Sequence, residues 1–214
     1  MSERFRTFVA DLPPGVRWIL LGGAGLVVAL FIAAGVWTLL ERREASGQTA
    51  FASARETYRQ AITSREDAQL AAAARALDQF LNERGRSRLA PEAWYFLANV
   101  EYQRKALDAA VRAYERAAGR GGNVGRLSRL GQGYALEAKG DYRGALAAYR
   151  QALDGLAAGD FLYVEALVAT GRAQELLKQP EAAVEAYRRV LRDVPDSPRT
   201  ADVRARLAIL NAGA

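Results

Sequence analysis

Two patterns of apolar and polar positions divide the chain. From Trp18 to Leu40 no charged residue interrupts the apolar run, whereas from about residue 51 onward apolar positions recur at helical spacing with charged residues between them. The first pattern predicts one helix over 16–40, because at ~1.5 Å per residue it covers the ~30 Å hydrocarbon core of a bilayer. Pro13, Pro14 and Gly15 close off residues 1–15 as a short N-terminal tail, since proline is accepted at the first helical turn and not beyond it. Trp18 and Trp37 would then place an indole near each membrane interface, with Arg17 and the Glu41-Arg42-Arg43-Glu44 cluster bounding the span. The run is longer than the h-region of a secretory signal, about 7 to 15 residues, which favours a retained anchor. Cleavage after Ala45-Ser46-Gly47 or Ala52-Ser53-Ala54 is the competing reading. Gly25, Ala29 and Ala33 fall at i, i+4 and i+8 and form a candidate contact stripe for another membrane helix, although Gly and Ala are common in such helices anyway. Arginines flank both ends (Arg4, Arg6 and Arg17 against Arg42, Arg43, Arg55 and Arg59), so the positive-inside rule selects no orientation. Residues 41–50 read as a linker or as helix continuation.

The second pattern repeats. Ala110, Tyr114 and Ala117 recur as Ala145, Tyr149 and Ala152 and again as Ala183, Tyr187 and Val190, a period of roughly 35 to 38 residues. Each set is one apolar stripe on a helix, with a small residue that lets a partner helix approach. The expected fold class is all-α: a single N-terminal transmembrane helix, then an α-solenoid of about three to four helix pairs over 51–210. The approximate repeats are 54–90, 91–124, 125–160 and 164–197. Ser197-Pro198 reads as the start of a capping helix over 198–210, with Ser197 as N-cap. Gly119 to Gly125 lacks the Lys-Ser/Thr ending and the preceding strand of a phosphate loop, and reads as a turn between repeats. Lys105, Lys139 and Lys178 each fall near the end of a first helix, where a cation meets unsatisfied carbonyls.

Composition narrows the function. The chain has no cysteine and no histidine, which removes thiolate nucleophiles, imidazole bases and the usual zinc sites. No carboxylate pair is placed other than by helix periodicity, so neither a catalytic residue, a metal nor a cofactor is expected, and the chain reads as a non-enzyme. The net charge is +6, but arginine and glutamate are interleaved and no basic stretch carries aromatics, so nucleic acid is not an expected partner. No small-molecule substrate is expected either. The expected partners are proteins or peptide segments, and the lipid bilayer through residues 16–40.

Trp94, Leu97, Ala98 and Tyr102, followed by Ala110, Tyr114 and Ala117, resemble the tetratricopeptide repeat, and weaker copies extend the resemblance over most of residues 50–210. Glu101 and Lys105 depart from it, standing where an aromatic and a glycine are usual. The resemblance implies a concave surface lined by the first helix of each repeat. Counted from the signature, that surface carries Tyr95, Asn99 and Tyr102, then Leu130, Tyr134 and Glu137, then Val168, Arg172 and Glu175. The tyrosines suit an adaptable binding surface, or else pack against the neighbouring repeat. Some members of the family clamp a C-terminal carboxylate; Asn99 matches one such position, but Tyr95 and Leu127 stand where the cations would be, so chaperone-tail binding is not expected. A short tail, one span and about 170 residues of repeats together resemble the bacterial ancillary SecYEG translocon subunit (YfgM-like) family. That resemblance implies a single-pass protein of the bacterial inner membrane with its repeats in the periplasm, contacting translocon subunits and periplasmic chaperones. The alternative is a cleaved, soluble periplasmic repeat protein of envelope assembly or cell-division coordination.

Overall fold

The computed structural model describes residues 13–119 and 121–212. Their helices, in chain order, are α1 (Pro14–Ser64), α2 (Asp67–Arg84), α3 (Ala90–Gln103), α4 (Leu107–Ala118), α5 (Gly122–Ala138), α6 (Tyr142–Leu153), α7 (Tyr163–Leu176), α8 (Pro180–Asp193) and α9 (Thr200–Ala212). The chain forms two units, Met1–Thr49 and Ala50–Ala214.

In the first unit α1 presents apolar side chains to its surroundings: Leu30, Phe31, Ile32 and Trp37 are 60 to 75% exposed. Gly25, Ala29 and Ala33 are exposed as well, and a Cβ built on Gly25 would meet nothing within 4 Å. Among the described residues no helix is long and apolar enough to cross a membrane. Much of the Trp18–Leu40 span (residues 18–22, 24, 27, 28, 39 and 40) lies outside those whose side chains are described, as does the flanking Arg17 and the cluster at 41–44.

The second unit is a stack of antiparallel helix pairs. The end of α1 pairs with α2, α3 with α4, α5 with α6 and α7 with α8, while α9 packs on α8. Alanines make the stack close: Ala61, Ala73, Ala98, Ala110, Ala145, Ala166 and Ala183 are completely buried. At one end aromatic rings fill the core, with Phe51 5.3 Å from Phe80 and Tyr58 stacked 4.4 Å from Phe96. At the other, Leu167, Tyr187, Val190 and Val203 close the stack.

The turn inside each later pair is one device repeated. Ala106, Asp141 and Gln179 donate their backbone N–H to the carbonyls of Glu101, Leu136 and Gln174, each five residues back. The residue before each donor takes a left-handed conformation, Lys105 at φ 63°, Gly140 at φ 83° and Lys178 at φ 60°. Lys105 and Lys178 thus occupy the positive-φ position itself, while Lys139 precedes it and pairs with Asp108 of α4.

Two boundaries differ from the sequence reading. The Gly-rich segment is not all turn: Gly121 carries φ 69° and α5 begins at Gly122, passing so near the end of α4 that a Cβ on Gly125 would lie 3.3 Å from the Ala118 carbonyl oxygen. The last helix begins at Thr200 because Ser197 closes a tight turn rather than capping; its carbonyl accepts from Thr200 N–H at 3.0 Å and its hydroxyl from Arg199 N–H at 3.2 Å.

Candidate functional site

The repeat signature places a tyrosine one turn after the small alanine of α4, α6 and α8, and each ring is buried, with Tyr149 at 0% and Tyr187 at 1% exposure. Their hydroxyls cross the helix pair and emerge at the first helices. Tyr114 donates to Asn99 Oδ1 at 2.6 Å, Tyr149 to Glu137 Oε2 at 3.0 Å, and Tyr187 to Glu175 Oε1 at 2.5 Å. Gly133 and Gly171 make this reach possible, because a Cβ there would lie 2.2 Å from the Tyr149 ring and 2.7 Å from the Tyr187 ring. The polar residues of the concave face are therefore held from behind by core tyrosines.

Across that face, side chains join α1 to α3 and α5 to α7. Asn99 of α3 donates to the Tyr58 hydroxyl of α1 at 3.1 Å. Tyr134 of α5 donates to Glu165 of α7 at 2.5 Å, and Arg199, just before α9, pairs with the same carboxylate at 3.1 Å. Arg172 of α7 donates through Nη2 to Glu137 Oε2 of α5 at 3.1 Å; its Nε lies 2.9 Å from Oε1 but off the N–H line, an ionic contact rather than a hydrogen bond. The Arg172 guanidinium also sits 5.4 Å from the centre of the Tyr134 ring. Further along, Arg206 lies 3.7 Å from Glu175.

This network borders an open hollow of about 530 Å³ lined by Tyr102, Tyr134, Glu137, Ala138, Glu165 and Arg172. A smaller one of about 340 Å³ follows, with Val168, Arg172, Arg199, Arg206 and Ile209 in its lining. Burial, reinforced by the carboxylate each faces, pushes the Tyr134, Tyr149 and Tyr187 hydroxyls well above their usual range, and burial does the same to Tyr114. These phenols are hydrogen-bond donors at neutral pH. Burial works against the charge on Arg172, but the Glu137 carboxylate more than restores it.

Of the residues expected on this face, Tyr102, Tyr134, Glu137 and Arg172 meet in one hollow. Val168 lines the next hollow, and Glu175 stands between Tyr187 and Arg206. Tyr95 and Asn99 form the N-terminal part, the Tyr95 ring lying 6.2 Å from that of Tyr114. Leu130 does not join them: it is 5% exposed and packs in the core with Ala145, Tyr149, Ala166 and Ala169. Glu165 and Arg199 were not anticipated. Glu165 stands three residues before Val168, on the same helical face, and that spacing was the available signal. Arg199 immediately precedes α9 and Arg206 lies on it; this helix, a cap by its sequence, is also a wall of the groove. Among the described residues no cluster of acidic side chains could hold a metal ion.

The fold recurs in known proteins. A putative kinesin light chain with nearly identical repeats from Podosopora anserina superimposes with a TM-score of 0.62 at 16% identity, over 74% of this chain and 85% of that one. A tetratricopeptide repeat protein from Parabacteroides merdae gives 0.62 at 17% identity, over 77% of this chain and 61% of that one. No curated protein matches the chain. The sequence profile of the tetratricopeptide repeat matches residues 58–124 and 130–198. With the helix pairs, their shared turn and the tyrosine-backed concave face, this places the chain in the tetratricopeptide repeat family.

Proposed function

We propose that this tetratricopeptide repeat protein is a membrane-anchored scaffold that holds a segment of a protein partner along its concave groove and catalyses nothing. The observation that carries the reading is the hollow between Tyr102, Tyr134, Glu137, Glu165 and Arg172, which offers aromatic faces and charged groups of both signs to a polypeptide. Anchoring is supported by the exposed apolar side chains of α1, from Leu26 to Trp37. The resemblance in layout to the ancillary SecYEG translocon subunit supports a finer reading. In it the chain is an inner-membrane subunit whose repeats, residues 51–210, face the periplasm and link the translocon to periplasmic chaperones.

The test uses the full-length protein in its native membrane with a photo-crosslinking benzophenone at position 102. The expected result is a protein adduct whose yield falls in Tyr134→Ala and Tyr95→Ala while the helical fold persists. Carbonate washing should leave the protein in the membrane, and protease added to spheroplasts should digest the repeats. Release of a shortened soluble form would replace this reading by a cleaved envelope-assembly factor. Digestion only after the inner membrane is opened would reverse the orientation.

A further inference from the structure

Another hollow of about 590 Å³ lies where α2 and α4 flank α3. The second helices of neighbouring repeats leave such a groove at each first helix, and what occupies it differs. At α5, Arg129 donates to Gln151 on one wall at 2.7 Å and Gln132 donates to Glu115 on the other at 3.1 Å, so the groove is bridged by its own side chains. At α7 the corresponding residues, Leu167 and Thr170, are buried at 2% and 6% exposure. At α3 the corresponding Leu97 is buried too, at 4% exposure, but Trp94 is only half-buried and lines the groove together with Glu101. The guanidinium of Arg116 lies over Trp94, 5.0 Å from the ring centre.

The walls of this groove are of opposite charge. On α2 stand Asp78 and Asn82; on α4, Arg112 and Arg116. Unlike the carboxylates of the concave face, Asp78 makes no hydrogen bond or ion pair among the described residues, and neither Asn82 nor Arg112 does so. Although Asp78 is largely exposed, the partial desolvation it meets at the groove wall pushes its carboxyl up, opposed by Arg104. Asp78, Asn82 and Gly85 follow helical spacing along α2, as Ala109, Arg112 and Arg116 do along α4, so the two walls run for about two turns, ~10 Å. The small Gly85, Ala109 and Ala113 among them leave room for another backbone.

We infer that this groove is a second docking site, taking an amphipathic helix of a partner protein. The helix lays its apolar stripe on the half-buried ring of Trp94, a basic residue against Asp78 and an acidic residue against Arg112. Opposite charges on the two walls fix its direction, because a reversed helix would bring like charges together. This inference does not depend on the concave-groove reading.

The test places the benzophenone at position 82 of the full-length protein in its native membrane and maps the crosslinked segment by mass spectrometry. The expected product is a partner's helical segment with an apolar stripe between a basic and an acidic flank. Its yield should fall about tenfold or more in Asp78→Arg, return when the partner's basic residue is changed to Glu, and be unaffected by Tyr134→Ala. Asp78 is exposed, and the melting temperature of Asp78→Arg verifies that the fold is kept. No adduct at position 82, an adduct indifferent to Asp78→Arg, one lost equally in Tyr134→Ala, or one formed with lipid or a second copy of this chain would each overturn the inference.

Discussion

Replacing Gly133 by alanine adds one methyl group where there is no space for it. The new Cβ would lie 2.2 Å from Tyr149 Cε1 and 2.4 Å from Cδ1, whereas unstrained carbons sit about 3.5 to 4.0 Å apart. The ring must therefore retreat by more than ~1 Å, yet it is fully buried, rests edge-on against Tyr134 at 5.4 Å and is tethered through its hydroxyl to Glu137. Overpacking of this kind costs about 1 to 3 kcal/mol, and losing the hydrogen bond about 1 more. Alanine returns about 1 kcal/mol of helix propensity. The expected net loss is about 1 to 3 kcal/mol, read as a lower denaturation midpoint in urea followed by helical circular dichroism. Gly159→Ala, where nothing lies within 4 Å, is the control and should be near neutral. The decisive arm is the double variant. Tyr149→Ala alone costs about 3 to 5 kcal/mol by leaving a cavity, and in that background the Gly133 methyl has room, so its penalty should vanish. Parent-like stability of Gly133→Ala, or additivity of the two changes, would refute the claim that glycine is required by the ring.

Three further outcomes are expected. Lys105→Gly and Lys178→Gly should each raise stability by about 0.5 to 1 kcal/mol in the same titration, because both lysines hold a left-handed conformation that glycine adopts without a side-chain penalty. Gln174→Met should be stabilising by about 1 kcal/mol, since Gln174 Oε1 is buried with no hydrogen-bond partner among the described residues; a loss instead would reveal a partner for that oxygen. Tyr134, Tyr149 and Tyr187 have hydroxyls raised in the fold above their ordinary value of 10.0, so their contribution is complete below that pH and is lost as pH rises past it. Absorbance at the phenolate band should show these tyrosines titrating only as the helices unfold, and early reversible ionisation of all tyrosines would contradict the buried network.

The helix pairs were legible because alanine followed four residues later by tyrosine admits few environments: a small contact and a large ring on one face fix which side of α4, α6 and α8 is inside. The same reasoning named Tyr134, Glu137 and Arg172 as neighbours, since a helical face propagates from the signature at fixed spacing. It failed at Leu130, where the face is right but the neighbouring helix covers it; packing against α7 is a tertiary fact that no periodicity within α5 contains. It also stopped short of Arg199, whose place depends on how α9 packs at the end of the stack. The Gly-rich segment before α5 misled for a related reason. Glycine signals a turn locally, but at Gly125 it answers the closeness of the end of α4.

The cross-helix pairs on the concave face bear on how the repeats deform. Charged joints connect α5 to α7 through Glu137 and Arg172, α7 to α9 through Glu175 with Arg206, and α7 to the residue before α9 through Glu165 with Arg199. Between α1 and α3 the joint is neutral, a tyrosine hydroxyl and an amide. Ions at about 0.15 M screen charge over roughly 8 Å, so added salt softens the later joints and leaves the first unchanged. Under added salt the stack would therefore yield first toward its C-terminal end, and a ligand carboxylate competing there for Arg172 or Arg199 would open one joint at a time.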